Sequence, residues 1–344
     1  MESLMRKEIF SEPEKLKNTI KNCKAIIPQI LKAIKDNNIT NYVSMARGTS
    51  DNATTVFSYA LSIFAKKTVA TFYPSIYTVY NSTLDLKGTM MFIVSQSGMS
   101  KDTVKVMHDA MRDGAIVVGI TNNINSPVAK EANFHIFLDV DEEKSVAATK
   151  TYIAELFALE MFAKALGGED LDCFDEALEK INLVLALCDT EIKNVATSIK
   201  DNNNYIILSR GTNLGSADEL CLKLTECCYL YAKSFSSSTF MHGPLSLLTK
   251  GTNVILFAPN SEFKQEFIDI ARRAVDCGAT LIAFSDIQEI IDIATFSVKM
   301  PNTCKTCAPI LYGVAASLLA LNIGEAKGYN VDSPRNLNKV TITL

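Results

Sequence analysis

An α/β fold, a tandem duplication of one doubly wound module, is predicted by three observations. Short, β-branched, near-continuous apolar runs alternate with longer segments of helical period. That rhythm is the pattern of a parallel sheet covered by helices on both faces, three layers in all. The chain also repeats itself. Asn41 to Thr49 reads NYVSMARGT and Asn204 to Thr212 reads NYIILSRGT, an offset of 163. The same offset carries Gly88-Thr89 to Gly251-Thr252, and one of 164 carries Gly114 to Gly278. Finally, 344 residues is room for two such modules.

The elements run in order along the chain. Residues 1–36 are mostly helical, with Ser11-x-x-Glu14 and Pro13 as a capping box. Residues 37–168 form the first module, with strands expected at 42–46, 68–72, 89–95, 115–121 and 134–138. Gly167-Gly168 breaks the chain. Residues 169–327 form the second module, opening on a connecting helix over 171–200. Its strands are expected at 205–209, 253–258, 280–284 and 296–299. Helices are expected at 101–112, 214–231, 263–277 and 308–327. The tail, 328–344, shows no strand partner.

Composition narrows the function. Hydrophobic residues make up 48% and charged residues 21%, which excludes intrinsic disorder. A net charge of −4 argues against nucleic acid as the main ligand. Nine cysteines, odd in number and scattered, read as reduced thiols, and no apolar signal segment is visible near Met1. The expected location is the cytoplasm. Cys304-x-x-Cys307 lacks the second pair a structural zinc site needs, so no metal is expected. Ala308 to Gly324 is apolar but too short to span a bilayer, so it reads as a core helix and no membrane partner is expected.

Ligands of parallel α/β sheets bind in the loops at the carboxyl ends of the strands. After one such strand comes Ser95-Gln96-Ser97-Gly98-Met99-Ser100, then a helix. Hydroxyls, a glycine and a helix N-terminus suit a phosphate dianion, although an N-cap cluster has the same composition. Arg47-Gly48-Thr49-Ser50 also joins strand to helix. In the repeat, Ser95-Gln96-Ser97-Gly98 becomes Ala258-Pro259-Asn260-Ser261. The serine pair is lost and proline removes an N–H donor, so one phosphate site per chain is expected. Of three histidines, His108 falls in a helix and His135 in a strand, whereas His242 lies in the small-residue loop Met241-His242-Gly243-Pro244, after the polar run Ser236 to Thr239. His242 is the acid–base candidate. Lys223 and Glu226 share a helix face, where a surface ion pair is the plainest expectation.

SQSG followed by S-x-D-T, ARGTS, HGPL and the tail DSPRNLNKVT together resemble the sugar-isomerase (SIS) family. Over nearly the whole chain they are similar to the isomerase half of glutamine–fructose-6-phosphate aminotransferases and to type II glucosamine-6-phosphate deaminases. The resemblance implies phosphate contacts at Ser95, Gln96, Ser97 and Ser100. Sugar contacts fall on Gly48, Thr49 and Ser50 and on the loop from Val146 to Ala148. Glu226 becomes the carboxylate that moves a proton between C1 and C2, with Lys223 one turn earlier. His242 becomes the ring-opening residue, supplied by the neighbouring subunit of a homodimer, and Lys339 the Schiff-base lysine. No cofactor is implied. The chain starts at the isomerase region, so neither a glutaminase domain nor an ammonia channel is expected. Two departures are visible. Thr239-Phe240-Met241 stands where the family has E-[LF]-[KR] before HGP, and Ala148 stands where serine is usual. The expected activity is that of a phosphosugar isomerase or deaminase acting on a hexose or hexosamine 6-phosphate. A fructosamine-6-phosphate deglycase and a non-catalytic phosphosugar sensor are the alternatives.

Overall fold

The computed structural model describes residues 2–339. Ten strands form two five-stranded parallel sheets. The first contains β1 (Asn41–Met45), β2 (Val69–Thr71), β3 (Thr89–Val94), β4 (Ile116–Thr121) and β5 (Phe134–Phe137). The second contains β6 (Asn204–Ser209), β7 (Tyr231–Ser236), β8 (Asn253–Ala258), β9 (Thr280–Ser285) and β10 (Phe296–Lys299). The orders are β2-β1-β3-β4-β5 and β10-β9-β8-β6-β7. Read from the other edge, the second is β7-β6-β8-β9-β10, the same winding as the first. Register repeats as well. Val43 pairs with Met91, and 163 residues later Ile206 pairs with Val254. The duplication is therefore structural.

The central strands are apolar because both faces are covered. All six residues of β3 are buried. Around the first sheet pack Met45, Met91, Ile93, Val106, Met107 and Val117. Leu208, Leu256, Phe267, Ile270, Leu281 and Ala283 do the same around the second. Helix Ala308–Ala326 is apolar all round, and its residues from Ala308 to Gly324 are buried. Its length and composition would suit a membrane span, but 94% of it lies inside protein, as expected of a core helix.

Two compact units interleave along the chain. The first-sheet unit holds Ser11–Glu143, Lys150–Phe174 and, of the described tail, Asn338 and Lys339. The second-sheet unit holds the residues up to Phe10, Lys144–Thr149 and Asp175–Leu337. The four consecutive segments drawn from sequence (1–36, 37–168, 169–327 and 328–344) cross this division.

Three local expectations need correction. Ser11 makes no side-chain cap, because its backbone is already helical (φ −84°, ψ −10°) between helices Leu4–Phe10 and Glu12–Asp36. The helix from Leu214 stops at Cys228, where Tyr229 turns left-handed at φ 57°. The chain then enters β7, an edge strand whose alternating exposure hid it from a search for buried runs. The stretch after Ser236 is a short helix, Ser237–Met241, not a loop.

Candidate active site

In the first sheet the winding reverses between β1 and β3, and the crevice at such a switch point is the usual ligand site of open α/β sheets. Both sequence-selected loops of this module leave strands there. After β1, Gly48 takes φ +57° as the N-cap of helix Thr49–Ala60. A side chain at that angle costs roughly 1–2 kcal/mol. Ser50 is buried, and its hydroxyl donates to Glu155 Oε1 at 2.8 Å. After β3, Ser95 and Ser97 turn their hydroxyls back on the loop. Gly98 N–H donates to Ser95 Oγ at 3.2 Å and Met99 N–H to Ser97 Oγ at 3.4 Å. Gly98 has φ +59°, and a Cβ there would lie 2.5 Å from Ser126 Oγ. Ser100 stands at the N-cap position of helix Lys101–Arg112, its hydroxyl 2.8 Å from that of Thr103 and not on a backbone N–H. The carbonyl of Gln96 accepts from Asn122 N–H at 2.9 Å, tying the loop to the end of β4. Arg47 meets the buried Asp102 at 2.6 Å.

Gln96, Ser97 and Lys339 line one cavity of about 440 Å³. Met99, Asn122, Asn123, Phe137 and the acidic residues Asp139, Asp141, Glu142 and Glu143 complete its wall. Lys339 Nζ is 2.9 Å from Glu143 Oε2 and remains a quarter exposed. Glu143 is buried and also accepts from the backbone and the hydroxyl of Thr151. The lysine that the resemblance assigns to the Schiff base is thus ion-paired and partly exposed. The ion pair has to open before its amine can reach a carbonyl carbon. Glu12 lies in the same unit, wholly buried. Burial first, and then the Glu143 charge, push its carboxyl well above the usual range.

The second-sheet unit holds the remaining candidates. Lys223 is wholly buried, 2.6 Å from Glu219 Oε1 and 3.5 Å from Glu226 Oε2. This corrects the expected surface pair. Burial alone would push the ammonium's pKa down. The charges of Glu219 and Glu226 outweigh that and hold it above the ordinary lysine value. The carboxylate of Glu226 is a quarter exposed, so the triad leads from the core towards solvent. His242 is exposed just past helix Ser237–Met241. Val146 and Ala148 are half-buried, and Val146 N–H donates to the Asp332 carbonyl at 3.0 Å. In the tail, Arg335 stacks over Tyr229 with its guanidinium carbon 4.0 Å from the ring centre. Residues 340–344 lie outside the described residues.

The other two histidines are accounted for. His108 is exposed and 2.6 Å from Glu131. His135 sits in β5 beside the Thr121 hydroxyl at 2.9 Å, and burial pushes its pKa down to about 4. Sequence reasoning missed Glu219, Glu143 and Glu155. Glu219 lies four residues before Lys223, a spacing that could have revealed it. Glu143 and Glu155 act on residues distant in sequence, which no local pattern reports.

Comparison with known proteins bears on the family and the fold. The SIS domain model matches residues 38–165 and 198–322. A glutamine–fructose-6-phosphate aminotransferase [isomerizing] from Thermococcus kodakarensis is 31% identical over 97% of this chain. One from Pyrococcus horikoshii is 30% identical over 98%. In each case the chain spans 57% of the relative's length. Among solved structures, the C-terminal domain of the Francisella tularensis glucosamine-fructose-6-phosphate aminotransferase superposes with a TM-score of 0.85 and 25% identity, covering 97% of this chain and 99% of that one. Glucosamine-6-phosphate deaminase from Thermotoga maritima gives a TM-score of 0.80 at 20% identity, covering 99% of this chain and 100% of that one, a likeness of fold.

Proposed function

The chain belongs to the SIS domain family, and from that premise we propose that it is a phosphosugar isomerase or amino-sugar phosphate deaminase acting on a hexose or hexosamine 6-phosphate. One observation carries the reading. The serine loop at the switch point and the Lys339 amine line a single cavity, so a phosphate-binding wall and a carbonyl-reactive group share it. An isolated phosphate sensor has no use for the second.

Each residue then has a task. The hydroxyls and N–H groups of residues 95–100 and the helix start behind them receive the 6-phosphate. Gly48, Thr49 and Ser50, with the Val146 to Ala148 loop, hold the sugar. His242 opens the ring by moving a proton from the anomeric hydroxyl to the ring oxygen. Glu226 removes the proton at C2 of the aldose form and returns it to C1. For an amino sugar this leaves a C2 imine, which water hydrolyses with release of ammonia. Lys339 can hold a C2 ketone as an imine, expelling water as the bond forms. Lys223 lies between Glu226 and Glu219 and holds their charges at fixed positions. We further propose a cytoplasmic homodimer in which His242, exposed on its own unit, serves the neighbouring copy. A deglycase remains the second reading, favoured by Met241. That residue stands exposed beside His242, where the family carries a basic residue, and offers an apolar contact to a larger amine substituent.

The test is a panel of 6-phosphosugars assayed for ammonia release and ketose formation. Borohydride added with a ketose 6-phosphate should trap a covalent adduct that Lys339→Arg abolishes. Absence of turnover and of any adduct with every sugar would overturn the reading. Mixed dimers of His242→Ala with Ser95→Ala/Ser97→Ala chains should regain part of the activity if the site is shared.

A further inference from the structure

The seven-residue helix Leu4–Phe10, α1, makes contacts that its short length does not explain. Its Glu8 is 7% exposed although it carries a carboxylate. That carboxylate accepts from Lys144 N–H and Ser145 N–H and from the Ser145 hydroxyl. The Ser145 hydroxyl also lies 3.0 Å from the Ala147 carbonyl. Residues 144–147 are therefore bent around one buried side chain.

The same loop is held from a second direction. Asp332 accepts Val146 N–H on its carbonyl. Its carboxylate accepts the N–H groups of Leu4 and Met5 at 2.9 and 2.8 Å. These are donors that a helix start leaves without intrahelical partners. The loop, α1 and the first part of the tail thus form one closed set of bonds within the second-sheet unit. Arg6 anchors the opposite side of α1, 2.9 Å from Glu325 and 3.1 Å from Asn322.

We propose that Glu8 is a positioning residue for the substrate loop. It fixes the backbone of residues 144–148 so that Val146 and Ala148 present to the sugar, and Asp332 completes the brace. The assignment rests on the phosphosugar reading only for the identity of the ligand. The burial is otherwise hard to justify, since a charged group taken from water is stable only when its oxygens are fully used. Here three donors come from the loop.

The experiment compares Glu8→Ala, Glu8→Gln and Ser145→Ala with Arg6→Ala, which loosens the same helix away from the loop. Amide hydrogen exchange over residues 144–147 should rise at least ~10-fold in Glu8→Ala and less in Glu8→Gln, which keeps one acceptor oxygen. It should stay near wild type in Arg6→Ala. With a phosphosugar that the wild type turns over, KM should rise ~5- to 50-fold in Glu8→Ala. Inhibition by inorganic phosphate should change less than ~2-fold. Ser145→Ala removes a single hydroxyl and should show the same pattern, weaker, if Glu8→Ala folds poorly. Equal exchange and equal KM in the Glu8 and Arg6 variants would reduce Glu8 to a helix anchor and overturn the proposal. If the wild type turned over no sugar, the phosphosugar reading would fail, and the exchange comparison would still decide the role of Glu8.

Discussion

The helix after the first strand occupies the same place in both sheets, yet the two copies bury opposite things. In the first sheet Val56 and Ala60 are wholly buried in helix Thr49–Ala60, and Ile63 lies just beyond it. An offset of 163 carries these residues to Glu219, Lys223 and Glu226. An apolar stripe in one module is a charged triad in the other. The loops after β3 and β8 differ in the opposite sense. The first loop carries a glycine and two serines whose hydroxyls accept the loop's own N–H groups. In the second, Pro259 has no N–H, and Asn260 N–H is held by the Asp286 carboxylate at 2.6 Å. Arg210, the counterpart of Arg47, lies 3.7 Å from Glu266, which also accepts the Ser237 hydroxyl. The arginine–carboxylate pair is thus common to both modules, whereas the loop N–H held by a carboxylate is a feature of the second. On the proposed reading the comparison teaches a division of labour, with the anion loop in one module and the buried ionisable triad in the other.

The largest expected effect comes from forcing the two helices to resemble each other. Lys223→Ala takes the buried ammonium away from the buried Glu219 carboxylate, and breaking a buried pair this way costs about 3–5 kcal/mol. Denaturant unfolding should register that loss, and turnover should vanish. Adding Glu219→Val copies the first module's Val56 and Ala60 and should recover much of the stability without recovering turnover. If Lys223→Ala were as stable as wild type, the triad would not be a buried charge network.

An intermediate effect separates the two loops. A hydrogen bond to a charged group is worth roughly 1.5–3 kcal/mol, so Ser97→Ala should weaken 6-phosphosugar binding about 10- to 150-fold. Asn260→Ala, at the matching position, should leave it unchanged, as should either substitution with an unphosphorylated sugar. Calorimetric titration distinguishes these outcomes, and equal losses for both sugars would make the 95–100 loop merely structural.

The smallest effect is a pH slope. His135 in β5 has its pKa lowered by burial from 6.5 to about 4 in the folded chain, whereas position 297 of the matching strand β10 is serine. Between those values the unfolded chain binds the proton that the folded chain refuses, so stability falls as pH drops from about 6.5 to about 4. Above 6.5 the residue contributes no slope. His135→Ser, which copies the second sheet, should flatten the dependence in that window. An unaltered slope would place the acid sensitivity elsewhere.

Much of this architecture was legible because buried parallel strands leave a continuous apolar signature, and nine of the ten were found within a residue or two at their ends. The tenth, β7, lies at a sheet edge, where alternate residues meet water and Tyr231 is 83% exposed. Lys223 and Glu226 could be found by spacing, but their burial could not, because a helix face carries no label for what covers it. The pairing of Lys339 with Glu143 joins residues 196 positions apart. Only the folded chain brings those two charges together.

The brace between α1 and Asp332 also has a consequence for how the protein is made. Residues 4 and 5 leave the ribosome more than three hundred positions before the side chain that caps them. At roughly 5–20 residues per second the early helix waits on the order of 15–65 s for its partner. During that interval Met5 and Ile9, both wholly buried in the finished protein, have no native surface to cover them. Within the second-sheet unit, a late-made side chain therefore completes an early-made helix. Slowing translation near its end would lengthen the time during which this short apolar segment is open to chaperones and to other nascent chains.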